Sequence, residues 1–204
     1  MIDLAHLIAA GLAPTQARTF VQPLADACKR FDIDTPQRQG AFLAQCMVES
    51  VNFTHLEENL FYTDPLRIMR IFPSRVPTPT LAATLVRNPK ALANMVYAGK
   101  NGNGTAASGD GFVFRGRGCF QLTGRSNYVD AQTALGTPYV VQPDLIAQPL
   151  DACLTAAWYW HTHKANLLAD NAQFDLITRA INGPAMLDRS HRAALSATAI
   201  SALA

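Results

Sequence analysis

Residues 94–128, NMVYAGKNGNGTAASGDGFVFRGRGCFQLTGRSNY, decide how this chain is read. Seven of the protein's twelve glycines lie between positions 99 and 118, so the backbone there can take positive φ and come close to a ligand. The stretch closes on Gln121, Thr123, Asn127 and Tyr128, each able to give or accept a hydrogen bond. Such a segment is a binding surface carried on loops.

On both sides of it the punctuation is helical. Thr35-Pro36, Asp64-Pro65, Thr80 and Asn88-Pro89 place a capping residue, usually with proline at the first helical position, ahead of apolar periodic runs. Gly99 and Gly136 stand where helices stop. The pattern predicts helices over 4–10, 15–30, 36–50, 65–71, 80–87, 89–98, 125–135, 150–164, 172–181 and 187–201. The best strand candidates are 112–114 and 119–122. No repeat and no long polar linker divides the chain. A mainly α fold is expected: a helical body with two lobes around a loop-rich substrate cleft and at most a very small β element, in a single domain over 1–204.

Composition narrows the function classes. A hydrophobic content of 49% with 16% charged residues describes a folded globule rather than a disordered chain. A net charge of +2 is too mild for a dedicated nucleic-acid binder, although it favours an anionic polymer. The opening MIDLAHLIAAGLAP has no Lys or Arg before its short apolar run, unlike a secretory signal, and no apolar run approaches the ~20 residues of a membrane span. Synthesis ending in the cytoplasm and no stable membrane insertion are expected. Cys28, Cys46, Cys119 and Cys153 form no CxxC pair and read as reduced thiols packed as small hydrophobes. His161 and His163, two apart on a helix, splay by about 200°, and His55 and His191 complete no metal spacing, so no metal is expected. Trp158, Tyr159 and Trp160 read as packing residues.

The stretch VYAGKNGNGTAASGDGFVFRGRGCFQLTGRSNY resembles the signature of family 19 glycoside hydrolases, in their bacteriophage-endolysin branch. AFLAQCMVES and LEENLFY upstream and ITRAINGPAMLDR downstream resemble the same family, and four motifs in order across positions 41–189 make the resemblance specific. It implies a lysozyme-like catalytic domain that needs no cofactor and has no separate wall-binding domain. It also implies an inverting endolysin that hydrolyses the β-1,4 bond between N-acetylmuramic acid and N-acetylglucosamine in bacterial peptidoglycan. A monomer is expected, made in the host cytoplasm and reaching the periplasmic wall once the inner membrane is permeabilised. The alternatives are a chitinase acting on the same linkage without lactyl ethers or peptides, and a glycan-binding module without catalysis.

Inversion takes one protonated carboxyl to protonate the leaving oxygen and one carboxylate to activate water. Glu49 and Glu58 can fill these roles. Phe42, Cys46 and Phe53 lie near Glu49 on a helical net, with Gln45 one turn before it, so an apolar setting is expected to hold the carboxyl neutral; the resemblance makes it the acid. On one straight helix Glu58 would stand about 13.5 Å along and half a turn around from Glu49, so the helix is expected to break within 50–54. A carboxyl separation of roughly 6.5 to 9.5 Å is then expected. LEENLFY favours Glu58 over Glu57 as the base.

The other site residues follow from the resemblance. Thr123 is expected to position the attacking water with the base. Gln121, Asn127 and Tyr128 match sugar-contacting positions, and Asn182 matches an asparagine lining the cleft. Tyr97, Gln45 and Arg189 join the expected substrate-binding set. Lys100, Asn101 and Asn103 are candidates for far subsites, and Arg115, Arg117 and Arg189 either steady Glu58 or tie loops. Val48 stands where the family commonly has histidine, and Pro184 where it has glycine.

Overall fold

The computed structural model describes residues 2–204. Its helices, in chain order, are α1 (Leu4–Ala9), α2 (Pro14–Arg30) and α3 (Pro36–Glu49), then α4 (Pro65–Ile71), α5 (Pro79–Leu85), α6 (Pro89–Val96), α7 (Asp110–Val113) and α8 (Arg125–Leu135). The last four are α9 (Pro149–Thr162), α10 (Ala165–Asp170), α11 (Phe174–Asn182) and α12 (Arg189–Leu203). Among the described residues the strand-like pairing consists of isolated bridges, Glu57 with Arg117 and Arg117 with Leu122. The mainly α class expected from the sequence is the one observed.

Local chemistry sets most helix starts. Thr35, Asp64 and Asn88 accept hydrogen bonds from Arg38 N, Leu66 N and Ala91 N, and each is followed by proline at the first helical position. The fourth start lies two residues earlier than expected: Thr78, not Thr80, accepts from Leu81 N, and Pro79 opens α5. The candidate strand 112–114 is a helical turn instead. Gly109, at φ 81°, caps α7, and Phe112 N donates to the Asn94 side chain at 2.8 Å. Three apolar residues are too few to separate the two periodicities. Helix α10 escaped prediction because it begins without a side-chain cap, after Lys164 in the left-handed region at φ 55°.

The chain divides into two compact units. The first comprises residues 1–56, 118–121 and 144–204. Its core is centred on α3, where Gln39 to Met47 are all buried, as expected of a helix covered on every side. Phe42 meets the Trp160 ring edge-on at 5.4 Å, and Phe20 packs on Phe53 at 4.6 Å. Helix α12 lies directly against α3 because Gly40 has no side chain: a Cβ there would stand 2.5 Å from Ile200 N.

The second unit comprises residues 57–117 and 122–143. Leu60, Ile68, Val76, Leu85, Leu92 and Val96 form its core. Phe114 packs edge-on against Tyr128 at 5.2 Å.

Candidate active site

In the first unit, Glu49 is the last residue of α3. The helix breaks where the sequence predicts, and it does so abruptly: Val51, Asn52 and Phe53 all have positive φ, at 50°, 55° and 62°. Left-handed conformation costs an L-residue roughly 1–2 kcal/mol, so three in succession require anchoring. Ser50 supplies part of it, its hydroxyl donating to Cys46 O at 2.5 Å and accepting from Phe53 N at 2.9 Å. The buried Phe53 ring supplies the rest.

The carboxyl of Glu49 is held through one oxygen. Arg192 Nη2 donates to Oε1 at 2.5 Å and Asn182 Nδ2 donates to the same atom at 3.3 Å. Among the described residues the protein offers no hydrogen bond to Oε2. The Arg192 side chain is 3% exposed and that of Glu49 is 17% exposed, so the pair is shielded while the carboxyl keeps an opening to solvent. Arg192 Nη1 also donates to Gln45 Oε1 at 2.5 Å, which fixes the guanidinium from its other branch. The apolar setting expected around this carboxyl is therefore corrected. Phe42, Cys46 and Phe53 belong to the core, and the group meets a guanidinium and an amide. Burial, and then the charge of Glu49, push the Tyr159 phenol above its usual range, which puts that ring within the field of the carboxylate.

In the second unit, Glu58 accepts from the Tyr97 hydroxyl at 2.5 Å through Oε1 and from Gly116 N at 3.3 Å through Oε2. Its own N–H donates to Gly116 O at 2.9 Å, so the residue is pinned to the glycine-rich segment at both backbone and side chain. Burial, then the charge of Glu58 and the hydrogen bond to it, push the Tyr97 hydroxyl well above the usual phenol range; it remains a donor at any working pH. Glu57 lines the same cavity as Glu58 but is paired with Arg115, whose guanidinium lies over the Phe112 ring at 4.2 Å. A cavity of about 330 Å³ opens beside Glu58, lined by Leu60, Phe61, Pro89, Phe112 and Arg115 among others.

Comparison with known proteins places the chain in a family. The family model for chitinase class I matches residues 81–192. A glycosyl hydrolase family 19 domain-containing protein of Haemophilus influenzae is 40% identical over 147 residues, 72% of this chain and 70% of that one. The chain belongs to glycoside hydrolase family 19. The acidic 27 kDa endochitinase of Solanum lycopersicum is 46% identical over 57 residues, 28% of this chain and 23% of its own. Among solved structures, chitinase C from Streptomyces griseus HUT6037 matches with a TM-score of 0.64 at 21% identity, over 99% of this chain and 76% of that one. A bacterial family 19 chitinase matches with the same TM-score at 20% identity, over 99% and 94%. These two likenesses establish a shared fold.

In this glycoside hydrolase several polar residues expected to touch sugar are occupied by the protein itself. Tyr128 is fully buried; its hydroxyl donates to Arg115 O at 2.7 Å and accepts from Arg117 Nη1 at 2.9 Å, so it is a strut of the second unit. Gln45 is 1% exposed and serves as the seat of Arg192. Arg189 lies on the surface in a paired contact with Asp175, three residues before the arginine that reaches Glu49. Asn127 Nδ2 and Asn101 Nδ2 donate to Thr123 O at 2.7 and 3.4 Å, which fixes the backbone of the expected water-positioning residue. Gly124 allows this, since a Cβ there would stand 2.3 Å from that of Asn101. Gln121 donates to His55 O and Gly118 O within the first unit. Asn103 donates to Tyr97 O and accepts from Arg125 N, and Lys100 is exposed. Asn182 also accepts from Leu187 N at 2.6 Å, tying the turn that contains Pro184 to Glu49.

Arg192 is the residue that sequence reading missed. Its signal was present: Arg192, Ser196 and Ala199 are the buried positions of α12, spaced as one face of a helix, and an arginine on an otherwise small, apolar stripe calls for a buried acceptor. Among the described residues no group of His, Cys, Asp and Glu is arranged to hold a metal, and no helix is long and apolar enough to cross a membrane. All four cysteines are free and buried.

Proposed function

We propose that this family 19 enzyme cleaves the β-1,4 bond of peptidoglycan between N-acetylmuramic acid and N-acetylglucosamine with inversion, Glu49 acting as acid and Glu58 as base. The observation that carries the assignment of roles is the contrast between the two carboxyls. Among the described residues the side-chain hydrogen bonds of Glu49 fall on Oε1, which leaves Oε2 to carry a proton towards the glycosidic oxygen. Glu58 is held as an acceptor by a phenol and a backbone N–H, which suits a carboxylate that takes a proton from water. In the step, water oxygen bonds to C1 as the bond from C1 to the leaving oxygen breaks. The water proton passes to Glu58, and the Glu49 proton passes to the leaving sugar. Such a step places the carboxyls on opposite faces of one ring, about 6.5 to 9.5 Å apart. Thr123 is assigned to the attacking water, with its backbone fixed by Asn101 and Asn127.

The endolysin reading rests on the motif resemblance and has the enzyme lyse its host from within, after the inner membrane is permeabilised. Chitin is the second reading, favoured by the endochitinase names of the plant relatives. Products of purified peptidoglycan and of chitohexaose are to be identified by mass spectrometry, with the anomer of the first product read by NMR. We expect muramic acid at the new reducing end in the α configuration, and less than a hundredth of the wild-type rate from Glu49→Gln and from Glu58→Gln. A β product would remove the inverting assignment, and intact glycan chains with cleaved chitohexaose would move the substrate to chitin.

A further inference from the structure

Charge is divided unevenly within the chain. Nine of the 17 Lys and Arg residues but only five of the 15 Asp and Glu residues belong to the second unit, which gives it +4 and leaves −2 for the first. Several of these cations are structural: Arg115 and Arg117 are committed to the loop that bears Glu57 and Glu58, and Arg125 pairs with Asp110. Arg67, Arg87 and Lys90 are different. All three are exposed, and among the described residues none is in an ion pair.

The backbones that carry these three cations meet around Tyr62 and the cavity wall. The Arg67 guanidinium lies 5.6 Å from the centre of the Tyr62 ring, and Arg87 N donates to Tyr62 O at 2.8 Å. Tyr62 directly follows Phe61, and Lys90 directly follows Pro89; Phe61 and Pro89 are walls of the cavity that Glu58 lines. Burial, and then the charge of Glu58, push the Tyr62 phenol upward, while Arg67 pulls the other way, so the ring sits in the fields of both. Besides Glu58 itself, two acids share this neighbourhood. Asp64 caps α4 through Leu66 N, and Glu57 is taken by Arg115. Arg67, Arg87, Lys90 and Arg115 stand against Glu57, Glu58 and Asp64, a surplus of one positive charge around the cavity, and no acid stands in the first turn of α6 to offset Lys90.

We infer that Arg67, Arg87 and Lys90 form a basic rim that recognises carboxylates borne by the glycan beside Glu58, making the enzyme specific for an anionic polymer. The inference rests on the proposed reading of the site as a glycosidase centre and deepens it. Peptidoglycan carries such carboxylates on its lactyl ethers and stem peptides, whereas chitin is neutral. Exposed cations act on such a partner through screened attraction over about 8–10 Å, which strengthens binding of ground state and transition state alike and weakens as salt is added.

The test compares wild type, the triple variant Arg67→Gln/Arg87→Gln/Lys90→Gln and the charge-conserving Arg67→Lys/Arg87→Lys/Lys90→Arg, each checked for an unchanged melting temperature. Turnover of purified peptidoglycan and of chitohexaose is measured at low and physiological salt, together with co-sedimentation on insoluble peptidoglycan and on chitin. The expected result is a roughly tenfold rise in KM on peptidoglycan for the neutralised variant. Its kcat should stay near wild type, sedimentation on peptidoglycan should be lost, chitohexaose turnover should not change, and the charge-conserving variant should be restored. Equal losses on both substrates, or undiminished action and binding on peptidoglycan, would overturn the rim. Failure of the catalytic reading looks different: wild type would then bind peptidoglycan in a rim-dependent, salt-sensitive way without cleaving it.

Discussion

At the residue scale, the two carboxyls are defined by their partners. Tyr97→Phe removes one hydrogen bond to a charged group and little packing. Such a bond contributes about 1.5–3 kcal/mol, so kcat should fall roughly 10- to 150-fold while thermal unfolding stays near wild type. An unchanged kcat would show that Tyr97 does not support Glu58. Arg192 is a different case, since its removal leaves Glu49 and Gln45 facing an empty site. Breaking a buried pair on one side costs about 3–5 kcal/mol, so Arg192→Ala should lose activity and lower the melting temperature by roughly 6–20 °C. The break in the chain between Glu49 and Glu58 was legible because its signals are local in sequence. Arg192 was not, because the contact that explains it joins positions 143 residues apart. Tyr128 and Gln45 were misread for a related reason: a motif match records that a polar residue is required, not whether it faces the sugar or holds the residue that does.

At the element scale, boundaries were the most legible feature, because capping residues and prolines act within a few positions. Helix α3 ends at Glu49 as expected from 50–54, but the left-handed run that follows carries no glycine to announce it. Val51 is exposed and β-branched in a conformation that favours glycine. Val51→Gly should therefore raise stability by about 1 kcal/mol, the relief of strain outweighing the added freedom of the unfolded chain; denaturant unfolding would read this. A loss of stability would mean that the Val51 side chain has a packing role. The opposite holds for the close approaches. Gly40→Ala would drive a methyl group into the Ile200 backbone and Gly124→Ala into Asn101. The first should destabilise the α3–α12 contact by more than about 2 kcal/mol. The second acts on the Thr123 loop and should reduce activity with a smaller change in melting temperature.

At the scale of the whole molecule, each unit has its own core, and the four cysteines all belong to the first. Burial pushes the Cys28 thiol up to about 12 and also raises those of Cys46 and Cys153, so they stay protonated at neutral pH. Burial raises the Cys119 thiol but its hydrogen bonds with Cys153 and Cys46 outweigh that and lower it, so there it is the complete burial that excludes a reagent; a thiol reagent should label none of the four in the native enzyme and all four in denaturant, and fast labelling of the native protein would contradict this packing. The first unit is also discontinuous: α3 is joined to α12 across the long stretch that contains the second unit. Contacts of such sequence separation form late in folding. At about 5–20 residues per second, Glu49 is synthesised roughly 7–29 s before Arg192. The clamp on Oε1 therefore exists only once α12 has been made: a chain stalled or cut before it lacks the guanidinium that orients the carboxyl of Glu49.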